Sequence, residues 1–235
     1  TDPGCIEEAR KYIRSLDVYG PVSVEAFDGK HLPYADNLVN TVVASGECQV
    51  ASDEIARVLA PNGVAVWLDP ETRNLKPETF FRKPWPADLD EWSHFLHDAS
   101  NKAVSRDTLV GPSRGLRWTC GPEFARSHEH FASMSAMVTS GGRVFYIIDE
   151  GPVSSVYLPP KWKLVARDAF NGVLLWDRPI TNWEAHLRGF RSGPPEIARR
   201  MVAGGDRLYV SLGYGEPVTV LDAASGKHLT TLAGT

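Results

Sequence analysis

Met137-Val138-Thr139-Ser140-Gly141-Gly142-Arg143-Val144-Phe145-Tyr146 returns, without a gap, as Met201-Val202-Ala203-Gly204-Gly205-Asp206-Arg207-Leu208-Tyr209-Val210, an offset of 64 residues. Each copy leads to a second shared element. In the first it is Val165-Ala166-Arg167-Asp168-Ala169-Phe170-Asn171-Gly172, and in the second Val220-Leu221-Asp222-Ala223-Ala224-Ser225-Gly226. Self-similarity at a period of tens of residues marks a repeat architecture. The first third of the chain carries no such pattern, so at least two different parts are joined.

Each copy reads as four short antiparallel strands. In the first these are expected at 137–140, 144–148, 164–168 and 173–176, and in the second at 201–203, 208–212, 218–222 and 228–232. Four such strands per repeat correspond to one blade of a β-propeller. The Asp-Ala-x-x-Gly turn has a physical reason. The Asp carboxylate accepts backbone N–H bonds two or three residues on, and the Gly takes positive φ at the turn's end. The copies differ by an insertion: Arg143 to Asp168 spans 25 residues, Arg207 to Asp222 only 15. Residues 156–163, with Pro159-Pro160-Lys161-Trp162, supply the excess, and 182–196 form a second insertion between the copies.

The 235 residues suffice for one large or two small domains. Hydrophobic residues at 43% and charged residues at 23% fit a globular protein. A net charge of -4 gives no basic footprint for nucleic acid. No apolar run approaches the roughly 20 residues of a membrane span. Cys5, Cys48 and Cys120 are far apart and odd in number, so they are expected as buried or idle thiols.

The first third alternates helix and strand. Ile6, Ala9, Tyr12, Ile13 and Leu16 make an apolar stripe at helical spacing, with Asp2 and Pro3 placed to open the helix. Residues 22–27 and 38–44 are strand candidates, the second with the continuous apolar character of a buried parallel strand. Ser52 is expected to cap a helix through Leu59 that ends at Pro61-Asn62-Gly63, before a third strand at 64–68. The pattern predicts a parallel α/β sheet.

Three runs here carry a resemblance: 27–37 (Phe-Asp-Gly-Lys-His-Leu-Pro-Tyr-Ala-Asp-Asn), Val42-Val43-Ala44-Ser45, and 54–63 (Glu-Ile-Ala-Arg-Val-Leu-Ala-Pro-Asn-Gly). Together they resemble the second half of a class I S-adenosylmethionine-dependent methyltransferase, over about residues 1–69. By that resemblance Asp2 would hold the cofactor's ribose hydroxyls and Asp28 would sit near the adenine. The residues themselves also allow plainer readings, Asp2 as a helix cap and Asp28 as a turn residue before Gly29. The family's glycine-rich turn is missing, and Asn40 stands where the family usually has an acidic residue. The segment is therefore expected to be an incomplete Rossmann-like domain that binds no S-adenosylmethionine as it stands.

Pro70, Pro77, Pro84 and Pro86 give 70–86 the composition of a linker. Residues 88–98 follow with a helical or turn-like pattern, and 116–118 (Leu-Arg-Trp) could be a first strand. The repeat turn, flanked by an aliphatic strand and Leu174-Leu175-Trp176, resembles the pyrroloquinoline-quinone-like (quinoprotein) β-propeller repeat over about residues 106–235. The expected fold is thus α/β plus all-β: a partial Rossmann-like methyltransferase segment (1–69), a linker leading into the repeats (70–105), and a partial four-stranded-blade β-propeller (106–235).

The densest group of functional side chains is His94, His97 and Asp98, then His128, Glu129 and His130. His94 and His97 share a face if helical, and His128 and His130 share one if extended. Such imidazole pairs could bind a transition metal or simply hydrogen-bond in a crowded region, and the second is preferred. Trp162 and Trp183 lie in the insertions and are candidates for a binding surface, whereas Trp176, just after the repeat turn, is expected to pack between blades. No carboxylate set has calcium spacing, and no catalytic residue stands out.

Three functional readings follow. The preferred one is a propeller module that binds a protein or glycan partner or serves as scaffold, fused to an inactive methyltransferase-like fragment and without cofactor. The others are a quinone-dependent oxidoreductase and an S-adenosylmethionine-dependent methyltransferase, with pyrroloquinoline quinone or S-adenosylmethionine bound in an intact parent. The propeller resemblance implies an extracytoplasmic location and the methyltransferase resemblance a cytoplasmic one.

Overall fold

The computed structural model describes residues 3–45, 50–68, 75–109, 111, 115–124, 133–155, 158–181, 183, 196–213 and 215–235. The chain divides into two compact units, Thr1–Trp85 and Pro86–Thr235. The described residues are mostly sheet, with three sheets and few helices.

In the first unit, helix α1 (Pro3–Ser15) buries Ile6 and Ile13, two turns apart on one face. The buried stripe is narrower than the sequence pattern, since Tyr12 and Leu16 are exposed. Asp2 lies outside the described residues. Residues 22–27 are not a strand, contrary to expectation. They have no ladder partner beyond a single bridge between Tyr19 and Val22. Instead Arg10 ties them to α1, its Nε donating to the Val24 carbonyl at 3.1 Å and its Nη2 to Glu25 at 2.9 Å.

Strand β1 (Val39–Ser45), helix α2 (Ser52–Val58) and strand β2 (Leu59–Leu68) follow, with β1 and β2 parallel. Ile55 of α2 buries against Leu59 and Ala65 of β2. Ser52 is the first helical residue rather than its cap; the N-cap is Ala51, which makes no side-chain cap bond. Pro61-Asn62-Gly63 does not end the helix either. It lies inside β2, where the register slips between the Val39–Leu59 and Thr41–Val64 pairs. A Cβ at Gly63 would stand 2.7 Å from the Ala60 carbonyl and 3.1 Å from that of Asn40, so the bulge closes only on glycine.

The conspicuous 32–37 and 54–63 runs are joined by one guanidinium. Arg57 donates to the carbonyls of Tyr34 (2.9 Å) and Leu32 (3.2 Å), to Asp36 (2.6 Å), and through Nε to Glu54 (2.7 Å). Glu54 accepts the Leu32 amide in turn at 2.7 Å. Arg57 holds the Glu54 carboxyl down to about 2. Strand β3 (Leu75–Arg82) corrects the linker expectation: it pairs antiparallel with β2 at the edge of the sheet. Lys83, just beyond it, donates to Asn37 and to the carbonyls of Ala56 and Leu59.

The second unit holds two four-stranded antiparallel sheets. The first runs β4 (Met134–Ser140), β5 (Arg143–Asp149), β6 (Trp162–Asp168), β7 (Leu174–Pro179), in that spatial order. A 3-10 turn (Ile197–Arg200) leads into the second: β8 (Met201–Gly204), β9 (Arg207–Ser211), β10 (Val218–Asp222), β11 (His228–Thr231), again in chain order. Equivalent positions of the two copies pair alike, Val138 with Phe145 and Val202 with Tyr209.

One core joins the sheets. Val138, Phe145, Leu164 and Ala166 of the first cluster with Met201, Leu208, Val210 and Leu221 of the second, all nearly or wholly buried. Removing each large apolar side chain from water contributes roughly 1.5–3 kcal/mol. Alternation explains the choice of residues, since successive side chains of a strand face opposite sides. One face of the first sheet meets the opposite face of the second.

The repeat turns have the expected construction. Asp168 Oδ1 accepts the amides of Phe170 (2.8 Å) and Asn171 (3.1 Å), and Asp222 Oδ1 that of Ser225 (2.8 Å). Gly172 and Gly226 close the turns at φ +74° and +67°. Each turn is roofed by a tryptophan. Trp118 Nε1 donates to the Ala169 carbonyl and Trp176 Nε1 to the Ala223 carbonyl, both at 3.0 Å. The packing expected of Trp176 is thus seen, and Trp118 does the same one repeat earlier. Residues 116–118 nevertheless form no strand.

Candidate functional site

Residues 88–98 are not helical. Extended chain and turns run there, with one antiparallel bridge between His94 and His97. This segment crosses the free edges of both sheets. The Thr139 amide of β4 donates to the Trp92 carbonyl at 2.7 Å, and the Ala203 amide of β8 donates to the Ser93 carbonyl at 3.0 Å. The Trp92 amide bonds Thr139 Oγ1 at 2.7 Å, and the Gly141 amide donates to the Glu91 carboxylate. Edge amides that would otherwise lack partners are thereby satisfied.

His97 is the buried pivot of this segment, 2% exposed and at φ +74°. Its Nε2 lies 2.7 Å from Asp90 Oδ2 and its Nδ1 3.5 Å from Asp98 Oδ2, with the Trp92 ring edge-on at 5.3 Å. The Asp90 carboxylate also accepts the Arg106 and Glu91 amides. The Arg106 amide, then the Glu91 amide and His97, hold Asp90 well below the usual carboxylate range. Ser100 lowers Asp98 in the same sense, with His97 and Arg106 adding to it. With a carboxylate at each nitrogen, the His97 ring is engaged as a fastener rather than offered as a base or ligand.

His94 turns to a different partner, its Nδ1 2.8 Å from Ser93 Oγ. The two imidazoles therefore do not form the common face that a helix would give. His128 and His130 lie outside the described residues. Among the described residues no group of three or more His, Cys, Asp or Glu is placed to hold a metal ion.

Trp162 and Trp183 are corrected outright as surface candidates. They are 3% and 0% exposed and belong to the core between the sheets. Trp183 Nε1 donates to Ser135 Oγ at 3.1 Å. Of the two alternatives expected for the thiols, buried or idle, Cys5 and Cys120 do not take the first, since both are exposed and neither is in a disulfide; Cys48 lies outside the described residues. Asp28 is taken up by its own turn, accepting the amides of Lys30 (2.7 Å) and His31 (2.6 Å) and meeting His31 Nδ1 at 2.8 Å. These bonds, the His31 amide first, hold its carboxyl far below the ordinary value, and the same carboxylate raises His31.

Two groups escaped the sequence reading. Arg167 donates to the Tyr146 hydroxyl at 2.9 Å and to the Gly172 carbonyl at 2.8 Å, and burial pushes the phenol up. Arg199 and Arg200 border a cleft on the second sheet. Their only sequence signal is an Arg-Arg pair directly before the second copy. Among the described residues no helix is long and apolar enough to cross a membrane.

No family model matches the chain, and no curated protein matches it.

Proposed function

We propose that the second unit is part of a quinoprotein-like β-propeller acting as a binding or scaffold module, and that the first is an inactive methyltransferase-like segment. One observation supports this most: the tryptophan over the repeat turn occurs twice in the same form, Trp118 on Ala169 and Trp176 on Ala223. A contact that recurs from one unit to the next is what a stacked array of like units requires. Burial of Trp162 and Trp183 favours the scaffold reading over a quinone enzyme, because it removes the aromatic side chains best suited to a cofactor platform.

The test is reconstitution of the chain with pyrroloquinoline quinone and calcium, followed by dye reduction, beside calorimetry with S-adenosylmethionine. No dye reduction and no measurable heat are expected. Quinone-dependent dye reduction would establish the oxidoreductase instead, and micromolar S-adenosylmethionine binding would establish a working methyltransferase site.

A further inference from the structure

The chain contains two Asn-Gly pairs, Asn62-Gly63 in β2 and Asn171-Gly172 in the first repeat turn. Such a pair carries its own chemistry. The backbone nitrogen of the glycine can attack the asparagine Cγ, and the missing Cβ leaves that nitrogen open to close approach. In a folded chain the attack depends on how firmly the carboxamide is held, and the two pairs differ there.

Asn171 is held. Its Oδ1 accepts the Val173 amide at 3.0 Å, and its own amide donates to Asp168 Oδ1 at 3.1 Å. The Gly172 nitrogen, which would have to attack, donates to the Asp168 carbonyl at 2.9 Å, and the Trp118 ring covers the glycine.

Asn62 is not held. It is the one exposed residue of β2, between buried Pro61 and buried Gly63. In the bulge it stands at φ +65°, a conformation that asparagine adopts more readily than most residues. Among the described residues its carboxamide makes no hydrogen bond. Only its backbone amide is engaged, on the Lys83 carbonyl at 2.9 Å.

We propose that Asn62-Gly63 is a self-modifying site, where the folded chain converts asparagine to aspartate and isoaspartate. The Gly63 nitrogen bonds to Asn62 Cγ and the Cγ–Nδ2 bond breaks. Ammonia leaves with the proton that the Gly63 amide gives up. Water then opens the cyclic imide. Opening at Cγ yields aspartate. Opening at the backbone carbonyl yields isoaspartate, with the main chain routed through Cγ and one methylene longer. No electrons change hands and no other reactant is needed.

The bulge receives the two products differently. Aspartate keeps the backbone path and tolerates left-handed φ. Isoaspartate adds a main-chain atom where there is no room, since a Cβ on Gly63 would already stand 2.7 Å from the Ala60 carbonyl and 3.1 Å from those of Asn40 and Val39. Lys83 pairs with both residues, its carbonyl accepting the Asn62 amide and its amide donating to the Gly63 carbonyl, each at 2.9 Å. Isoaspartate therefore breaks the Lys83 pairing. The site lies in the first unit and is independent of the binding role proposed for the second.

The experiment is ageing of the full chain in warm, mildly alkaline buffer, natively and in urea. Peptide mapping by mass spectrometry reads the mass gain at each asparagine and resolves isoaspartate by its retention. In urea the two pairs should convert at similar rates. In the native chain Asn62 should convert about fivefold or more faster than Asn171, the factor that one ordinary hydrogen bond holds back. The aged chain carrying isoaspartate at 62 should lose hydrogen-exchange protection at the Lys83 amide, whereas Asn62→Asp should keep it. The rate comparison uses the unaltered chain, so it does not depend on the folding of Asn62→Asp. Conversion at Asn171 as fast as at Asn62 in the native chain overturns the proposal, as does no native conversion at Asn62 while the urea sample converts. Unchanged Lys83 protection in the isoaspartate form, or equal loss in Asn62→Asp, overturns the account of the damage.

Discussion

Trp176, on the last strand of one sheet, lies flat against Gly226, the closing residue of the repeat turn in the next. A Cβ added at Gly226 would stand 2.7 Å from Trp176 Cδ2. Trp118 stands to Gly172 in the same way, 2.5 Å from an added Cβ. The glycine is thus fixed twice over, by its positive φ and by the indole above it.

Gly226→Ala should therefore cost more than an alanine placed at positive φ in open space. Gly205 is the control, at φ +57° with nothing within 4 Å of an added Cβ. The control should lose about 1 kcal/mol, the price of left-handed backbone alone. Gly226→Ala should lose about 2–4 kcal/mol, because overpacking adds to it. Thermal denaturation of the two variants side by side reads the difference.

Trp183→Ala should destabilise the chain by about 3–5 kcal/mol, as deletion of a buried aromatic does. A binding-surface tryptophan would cost far less. Urea unfolding distinguishes the two, and a loss under 1 kcal/mol would return Trp183 to the surface.

Glu54 gives a pH signature in the first unit. Its folded value of about 2 lies below the ordinary glutamate value of about 4.5. A depressed carboxyl stabilises the fold above its unfolded value and loses that contribution as pH falls through the folded one. The protection of the Leu32 amide, which donates to Glu54, relative to an unstructured amide at the same pH should fall as pH drops from about 4.5 toward 2. The Glu54 carboxyl resonance should show a midpoint well below that of an exposed glutamate, and Arg57→Lys should bring it back toward the ordinary value.

The repeats were legible because their punctuation is chemical. Glycine pairs and the Asp-x-x-x-Gly turns fix where strands reverse, so β4, β5 and β8 to β10 fall within a few residues of expectation. Strand β3 was not legible: prolines 70, 77, 84 and 86 read as linker, yet Pro77 sits in an edge strand, beside a register shift between Val66 and Leu68, where a missing amide is tolerated. Trp162 and Trp183 misled for another reason. An insertion relative to a sister copy shows where chain is added but not which way its side chains face, and both indoles turn into the core. The His94/His97 spacing carried meaning only on a helix, and the chain there instead turns through a left-handed His97 that no residue pattern announces.

The two sheets meet as successive copies of one unit, joined through Trp176 and the turn it covers. A double-mutant cycle of Trp176→Ala and Gly226→Ala measures that joint directly. Removing the indole frees the space above Gly226, so in the Trp176→Ala background Gly226→Ala should cost only about 1 kcal/mol, no more than Gly205→Ala. The coupling should reach about 1–3 kcal/mol. Strictly additive losses, with Gly226→Ala costing the same in both backgrounds, would contradict the account.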